Sequence, residues 1–197
     1  MSNIAAIILA AGASERMGEP KQLLPFQGRS LLRHAALTAL ASRCRSVFIV
    51  LGAQAERLAE EVNDLAVQIV ENPAWADGMG TSIRAGIAAL SAENTDGALL
   101  MLCDQPLITA ATLDELVTLY EQAQPSAVAS AYAGALGVPA LFSRALFPEL
   151  LALPGQAGAK QVLLRHQAHV KAVAVAAGQL DVDTPADYAR LRQADRR

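Results

Sequence analysis

The sequence is short of several things. It has 2 cysteines, a single tryptophan, 4% aromatic residues and only three lysines, Lys21, Lys160 and Lys171. Cys44 and Cys103 lie far apart and form no CxxC or Cys/His cluster. That excludes a zinc ribbon, a dithiol redox motif and a disulfide framework. There is no excess of positive charge: the formal net charge is −3. A nucleic-acid-binding domain would carry a basic patch or stripe, so no nucleic-acid partner is expected. The apolar run Ile4–Ala11 stops at Gly12, far short of a membrane span. The start, Met1-Ser2-Asn3-Ile4, lacks the basic residues and cleavage site of a signal peptide. The expectation is a soluble, cytoplasmic protein with no membrane partner. None of the three histidines, His34, His166 and His169, sits in a Cys or acid pattern, and no serine has the context of a nucleophile elbow.

What is present is an alternation. The chain has 197 residues, 53% of them apolar and 18% charged, which suits one ordered domain over residues 1–197. Ile4–Leu9, Ser46–Leu51, Val67–Glu71, Ala98–Leu102 and Ala127–Ala131 read as strands buried on both faces. Between them run helical stripes: Leu31 to Leu40, then Ile83, Gly86, Ile87 and Leu90, then Leu113, Leu116, Val117 and Tyr120. Either Thr109 or Thr112 can start the third helix. Thr184-Pro185-Ala186-Asp187 opens a last one, from about Pro185 to Gln193. The fold class is therefore α/β: a single-domain, Rossmann-like, doubly wound and mostly parallel sheet. Such sheets bind ligands beyond the carboxyl ends of their strands.

The first strand runs into Leu9-Ala10-Ala11-Gly12-Ala13-Ser14-Glu15-Arg16-Met17-Gly18-Glu19-Pro20-Lys21. Its small residues let backbone N–H groups approach an anion, and Arg16 and Lys21 supply charge for phosphate oxygens. It is neither a P-loop nor a dinucleotide fingerprint. Five residues separate Gly12 from Gly18, and Gly78-Met79-Gly80 matches only half of G-x-G-x-x-G. The fourth strand ends in Cys103-Asp104-Gln105-Pro106, and the chain later offers Asp181-Val182-Asp183. Strand alternation would put Asp181 and Asp183 on one face. Two acids from distant segments suit one Mg²⁺ shared with substrate phosphates. Asn72–Ser82 carries Trp75, Gly78 and Gly80, and suits a wall for a base or an anion site at a helix start. Each segment also has a plainer reading: a glycine turn with solvated charges, a helix-capping aspartate, a tryptophan that closes the core.

Together these residues resemble a known family. Leu9-Ala10-Ala11-Gly12-x-Ser14-x-Arg16-Met17-Gly18-x-x-Lys21 is similar to the signature loop of MobA-like nucleotidyltransferases. Lys21-Gln22-Leu23-Leu24-Pro25, Asn72-Pro73-x-Trp75-x-x-Gly78-Met79-x-x-Ser82, Asp104-Gln105-Pro106-Leu107 and Asp181-Val182-Asp183-Thr184-Pro185 resemble the branch that holds the molybdenum cofactor cytidylyltransferases. The resemblance implies a GT-A-like fold and transfer of a nucleotidyl group from a nucleoside triphosphate, with Mg²⁺ as cofactor and pyrophosphate as product. It implies molybdopterin or the molybdenum cofactor as acceptor and molybdoenzyme maturation proteins as partners. Ala11 stands where the guanylyl-transferring branch usually has Gly, which points to CTP. The resemblance also implies residue roles. Arg16, Lys21 and Asp104 would be catalytic. Leu9, Ala10, Ala11, Gly12, Ser14, Arg16, Lys21, Gly80, Ser82 and Asp104 would bind nucleotide. Asp104 and Asp183 would hold the metal, with Asp181 the weaker candidate. The branch often carries Gly-His-Pro where this chain has Gly137-Val138-Pro139. A same-fold enzyme acting on a sugar phosphate or an alcohol phosphate, and a non-catalytic nucleotide-binding or cofactor-insertion protein, are the alternatives.

Overall fold

The computed structural model describes residues 1–90, 94–132, 134–175 and 181–194. In chain order the elements are β1 (Ile4–Leu9), β2 (Pro25–Phe26), β3 (Arg29–Ser30), α1 (Leu31–Leu40), β4 (Ser46–Leu51), α2 (Ala55–Glu60), β5 (Gln68–Glu71), α3 (Met79–Ala89), β6 (Gly97–Leu102) and α4 (Ala110–Ala123). They continue with β7 (Ala127–Tyr132), β8 (Ala135–Ser143), α5 (Phe147–Leu151), α6 (Lys160–Arg165), β9 (Val170–Ala174) and α7 (Pro185–Ala194). Seven strands form one sheet in the order β5-β4-β1-β6-β8-β7-β9. Only β8 runs antiparallel to its neighbours among the described residues. The expected mostly parallel, helix-covered sheet is what forms.

β1 lies near the middle, and all six of its residues are buried. Successive side chains point to opposite faces. Ile4, Ala6 and Ile8 join Leu32, Leu58, Leu116 and Val117 under α1, α2 and α4. Ala5, Ile7 and Leu9 join Ile83, Ile87, Leu150 and Leu163 under α3, α5 and α6. A strand that serves two cores has no polar face, which is why the sequence shows an unbroken apolar run there.

Several boundaries differ from the sequence expectation. β5 starts at Gln68 rather than Val67, β6 at Gly97, and β7 reaches Tyr132. β8 and β9 were not among the expected strands. Gly137 and Pro139 interrupt the β signal of β8, yet the strand is held from both sides by β6 and β7. Of the two candidate caps for α4, Thr109 is used: its hydroxyl accepts the N–H of Thr112 at 3.3 Å. The start of α7 is a capping box, with the Thr184 hydroxyl accepting from Asp187 N–H at 3.3 Å and the Asp187 carboxylate accepting from Thr184 N–H at 3.0 Å.

Residues 181–183 form no strand. Their position comes from packing. Val182 is fully buried with Leu24, Phe26, Leu31 and Leu191, in a small third core between α7 and the β2–β3 hairpin. Its N–H donates to the carbonyl of Asp104 at 2.9 Å. Asp181 and Asp183 therefore flank a pinned residue at the carboxyl edge of the sheet.

Candidate active site

β1 and β6 are neighbours in register, with Leu9 opposite Leu102. The segments that follow them are thereby brought side by side: the Ala10–Lys21 loop after β1, and Cys103–Asp104 after β6. The loop is shaped from beneath by Gln22, which is 1% exposed. Its amide N–H₂ donates to the carbonyls of Ala10 at 3.0 Å and Gly12 at 2.7 Å. Its amide oxygen accepts from the Ser14 hydroxyl at 3.1 Å, and Ser14 Oγ in turn accepts the N–H of Lys21 at 3.1 Å. Ser14 has φ +60°, a left-handed conformation, at the centre of this ring of bonds. Gln22 thus couples the curvature of the loop to the position of Lys21. Replacing Gln22 with leucine strands two loop carbonyls. We expect a loss of stability on the order of 2 kcal/mol, read by urea denaturation, and weaker nucleoside triphosphate binding. Unchanged stability together with unchanged affinity would refute this role.

Lys21 Nζ donates to Asp104 Oδ2 and, at 2.7 Å, to Asp183 Oδ1. The Arg16 guanidinium donates to Asp183 Oδ2 at 2.8 Å. Burial works against the charge on Lys21, but Asp104 and Asp183 outweigh it and hold the ammonium above the ordinary lysine range. Burial likewise opposes the charge on Asp183, and the Lys21 and Arg16 cations overcome it, holding that carboxyl below its usual range. Asp181 goes the other way. Burial, with the nearby Asp104 and Asp183, raises it despite a hydrogen bond from the Gln105 amide at 2.9 Å. Cys103 is buried and its thiol is pushed up to about 12, mainly by burial, so it packs rather than reacts.

The donor set fits a hard divalent cation. Asp104 is 7% exposed, and its Oδ1 has no hydrogen-bond partner among the described residues. A buried carboxylate oxygen without a partner is costly, and a cation would satisfy it. Among the described residues no group of three or more His, Cys, Asp or Glu side chains is arranged so that it could hold a metal ion by itself. The protein would thus offer two carboxylates, Asp104 and Asp183, and leave the remaining positions to substrate oxygens and water, which is how Mg²⁺ is commonly held.

Another wall comes from the segment that follows β5 and from the start of α3. Asn72 is buried and its amide donates to Thr81 Oγ1 at 2.8 Å and Ser82 Oγ at 3.0 Å. The Thr81 hydroxyl donates onward to the Gly78 carbonyl at 2.7 Å, whereas the Ser82 hydroxyl, on the cleft wall, accepts from Asn72 and so keeps its proton for another partner. Trp75 is half-buried and lies so close to Gly52 that a Cβ at that glycine would sit 2.5 Å from Trp75 Cβ and 2.8 Å from the Ala11 carbonyl. The glycine lets the tryptophan and the phosphate loop approach each other.

The resulting cleft has a volume of about 660 Å³. Leu9, Ala10, Ala11, Gly12, Ser14, Arg16, Lys21, Ser82, Asp104 and Asp183 all line it, as do Asp181 and Trp75. Gly80 is the exception. Its N–H donates to the Gly155 carbonyl at 2.7 Å, and a Cβ there would meet the Pro154 carbonyl at 2.1 Å. Gly80 is therefore needed for close packing of α3 against residues 154–157, and its backbone donor is already used. The buried positions of Gln22 and Asn72 have no local signal, because a polar residue inside a motif gives no sign that it will be buried. The histidines stay out of the cleft: His34 bonds the Pro106 carbonyl at 2.9 Å and His166 pairs with Glu149.

A mostly parallel sheet ending in a small-residue loop, a largely buried lysine, an exposed arginine and two facing carboxylates suits phosphate chemistry. The chain belongs to the MobA-like NTP transferase family, whose domain matches residues 6–170. It is 31% identical to the purine catabolism protein PucB of Bacillus subtilis, over 95% of each chain. It is 29% identical to the molybdenum cofactor cytidylyltransferase of Escherichia coli, over 98% of this chain and 97% of that one. With the nicotine blue oxidoreductase of Paenarthrobacter nicotinovorans it shares 38% identity over 72% of this chain and 67% of that one. Among solved structures, Rv0371c of Mycobacterium tuberculosis is similar with a TM-score of 0.84 and 31% identity, over 98% of each chain. Its complex with manganese gives a TM-score of 0.79 at 29% identity, over 98% of this chain and 100% of that one. Among the described residues no helix is long and apolar enough to cross a membrane.

Proposed function

We propose that this chain, acting as one nucleotidyltransferase domain over residues 1–197, transfers CMP from CTP to the phosphate of molybdopterin or the molybdenum cofactor. The observation that carries the reading is the convergence of Arg16, Lys21, Asp104 and Asp183 in one cleft beside the Ala10–Ser14 loop. An acceptor phosphate oxygen attacks the α-phosphorus in line, the bond from the α-phosphorus to the bridging oxygen breaks, and pyrophosphate leaves with the electron pair. A phosphate acceptor is already ionised at neutral pH, so no general base is required. Positioning and charge neutralisation then dominate. Gly12 and its neighbours cradle the phosphates, Lys21 holds the α-phosphoryl oxygens, and Arg16 neutralises the departing pyrophosphate. Asp104 and Asp183 would hold Mg²⁺, which when bound offsets phosphate charge and polarises the α-phosphorus.

The likeness to the E. coli cytidylyltransferase over nearly the whole chain supports the acceptor, and Ala11 on the cleft wall supports CTP. A manganese complex of a similar protein supports a divalent cation in this site. Free cysteines at 44 and 103 support a cytoplasmic setting, where molybdoenzyme maturation proteins would take the product. One observation favours a second acceptor class. Val138 replaces the histidine frequent in the branch, and its carbonyl is occupied by Tyr132 and Gln105 at 3.2 and 3.4 Å. A sugar phosphate or alcohol phosphate is the alternative acceptor.

Thermal-shift measurements with CTP, GTP, ATP and UTP, each with Mg²⁺, test the base. A ligand that binds only the native state raises the melting temperature by mass action, so CTP should give the largest rise. A larger rise with GTP overturns the assignment. Pyrophosphate release scored across molybdopterin, a sugar phosphate and an alcohol phosphate tests the acceptor. Nucleotide binding without turnover on any of them would make the chain a binding module.

A further inference from the structure

Lys21 holds one oxygen of each of the two carboxylates suited to a divalent cation. Its ammonium spans Asp104 Oδ2 and Asp183 Oδ1, while the second oxygen of Asp183 takes Arg16. These two carboxylates, one ammonium and one guanidinium sum to zero formal charge by themselves, and Asp181 lines the cleft beside them. The Lys21 side chain is only 17% exposed, so water screens these contacts weakly. The lysine is also tethered. Its N–H is bound by Ser14 Oγ, and its carbonyl accepts from Leu24 N–H at 3.0 Å. A dication entering between Asp104 and Asp183 would lie within a few ångströms of the ammonium, where like charges repel strongly in a shielded site.

We propose that Lys21 competes with the divalent cation for the Asp104–Asp183 pair, so that the cation loads together with nucleotide rather than alone. The inference rests on the reading of this cleft as a nucleotidyltransferase site. Lys21 yields the carboxylates when phosphate oxygens offer its ammonium a new partner. A bare cation offers none, and would leave a shielded ammonium facing a dication. A triphosphate supplies the missing anion. Cation and nucleotide therefore raise each other's affinity by the same factor, as linkage requires. The partnerless Asp104 Oδ1 is the point where a cation can begin to engage before Lys21 lets go.

The test is a titration of Mn²⁺ into the full chain, wild type and Lys21→Met, with and without CTP, read by calorimetry or by the electron paramagnetic resonance of unbound Mn²⁺. Without nucleotide, Lys21→Met should bind Mn²⁺ about tenfold or more tightly than wild type, and should lose most of the cooperativity with CTP. Equal or weaker Mn²⁺ binding by the variant overturns the proposal. Wild-type protein gives a second readout that needs no variant. The chain has three lysines, and Lys160 and Lys171 are exposed. Amine labelling followed by mass spectrometry should find Lys21 slow without metal and accelerated by saturating Mn²⁺ alone. A Lys21 rate that saturating Mn²⁺ does not move overturns the proposal. If neither protein binds Mn²⁺ with or without CTP, the nucleotidyltransferase reading of the cleft falls as well. If wild type binds Mn²⁺ with CTP and the variant gains nothing, only the competition falls.

Discussion

Lys21→Met is expected to lower Mg²⁺-dependent pyrophosphate release by on the order of 10²-fold or more, the scale of losing one electrostatic contact that strengthens in the transition state. Methionine keeps the length and apolar stem of the side chain but removes its charge. The loss should fall on kcat more than on KM, because charge on the α-phosphoryl oxygens shifts as the phosphorus is attacked. The same change leaves the Asp104 carboxylate buried without its cation. Breaking a buried pair in this way costs about 3 kcal/mol, so the variant should melt at a lower temperature in the absence of divalent metal. Mn²⁺ should restore part of that stability, since the vacated oxygens then receive a cation. Steady-state pyrophosphate release and paired melting curves check both effects. Turnover near the wild-type level would remove Lys21 from the chemistry.

Asp104→Asn is the second large effect. The amide keeps the shape of the carboxylate and cannot carry its charge. Lys21 retains Asp183 at 2.7 Å, so the loop should stay in place and the fold should hold. What disappears is the buried carboxylate whose Oδ1 has no hydrogen-bond partner among the described residues. We expect pyrophosphate release to fall by on the order of 10²-fold or more, with a higher metal concentration needed for half-maximal rate. The metal-dependence curve separates this role from a merely structural one. If Asp104 only caps the end of β6, the rate would drop through instability but the metal requirement would not move. Unchanged rate and unchanged metal requirement would exclude Asp104 as a ligand.

Much of the fold was legible along the chain. Ile4–Leu9 and Ser46–Leu51 match their strands residue for residue, because a strand buried on both faces needs an apolar side chain at nearly every position. α1 and α4 follow from i, i+3, i+4 stripes that seat one helix face on the sheet. β8 was hidden, since Gly137 and Pro139 erase its local signal while its pairing partners lie elsewhere in the chain. The phosphate loop was legible in part. Its small residues and two cations are local features, but the buried amide of Gln22 that shapes it is not. The place of Gly80 outside the cleft lining is hidden for the same reason. A glycine that opens a helix looks the same whether it faces a ligand or the carbonyl of Pro154.

By itself the sequence determined the alternation of strands and helices, the apolar core, and the presence of Arg16, Lys21 and Asp104 at the ends of strands. These follow from periodicities of two and 3.6 residues, which are set by bonded neighbours. The tertiary structure alone decided that Asp183, 162 residues from Lys21, closes on the same ammonium as Asp104. That meeting depends on β1 lying beside β6 and on Val182 being buried against α7 and the β2–β3 hairpin. Neither is a property of any short segment. The charge balance of the cleft, and with it the competition between a lysine and a metal, exists only once the sheet order has brought distant carboxylates together.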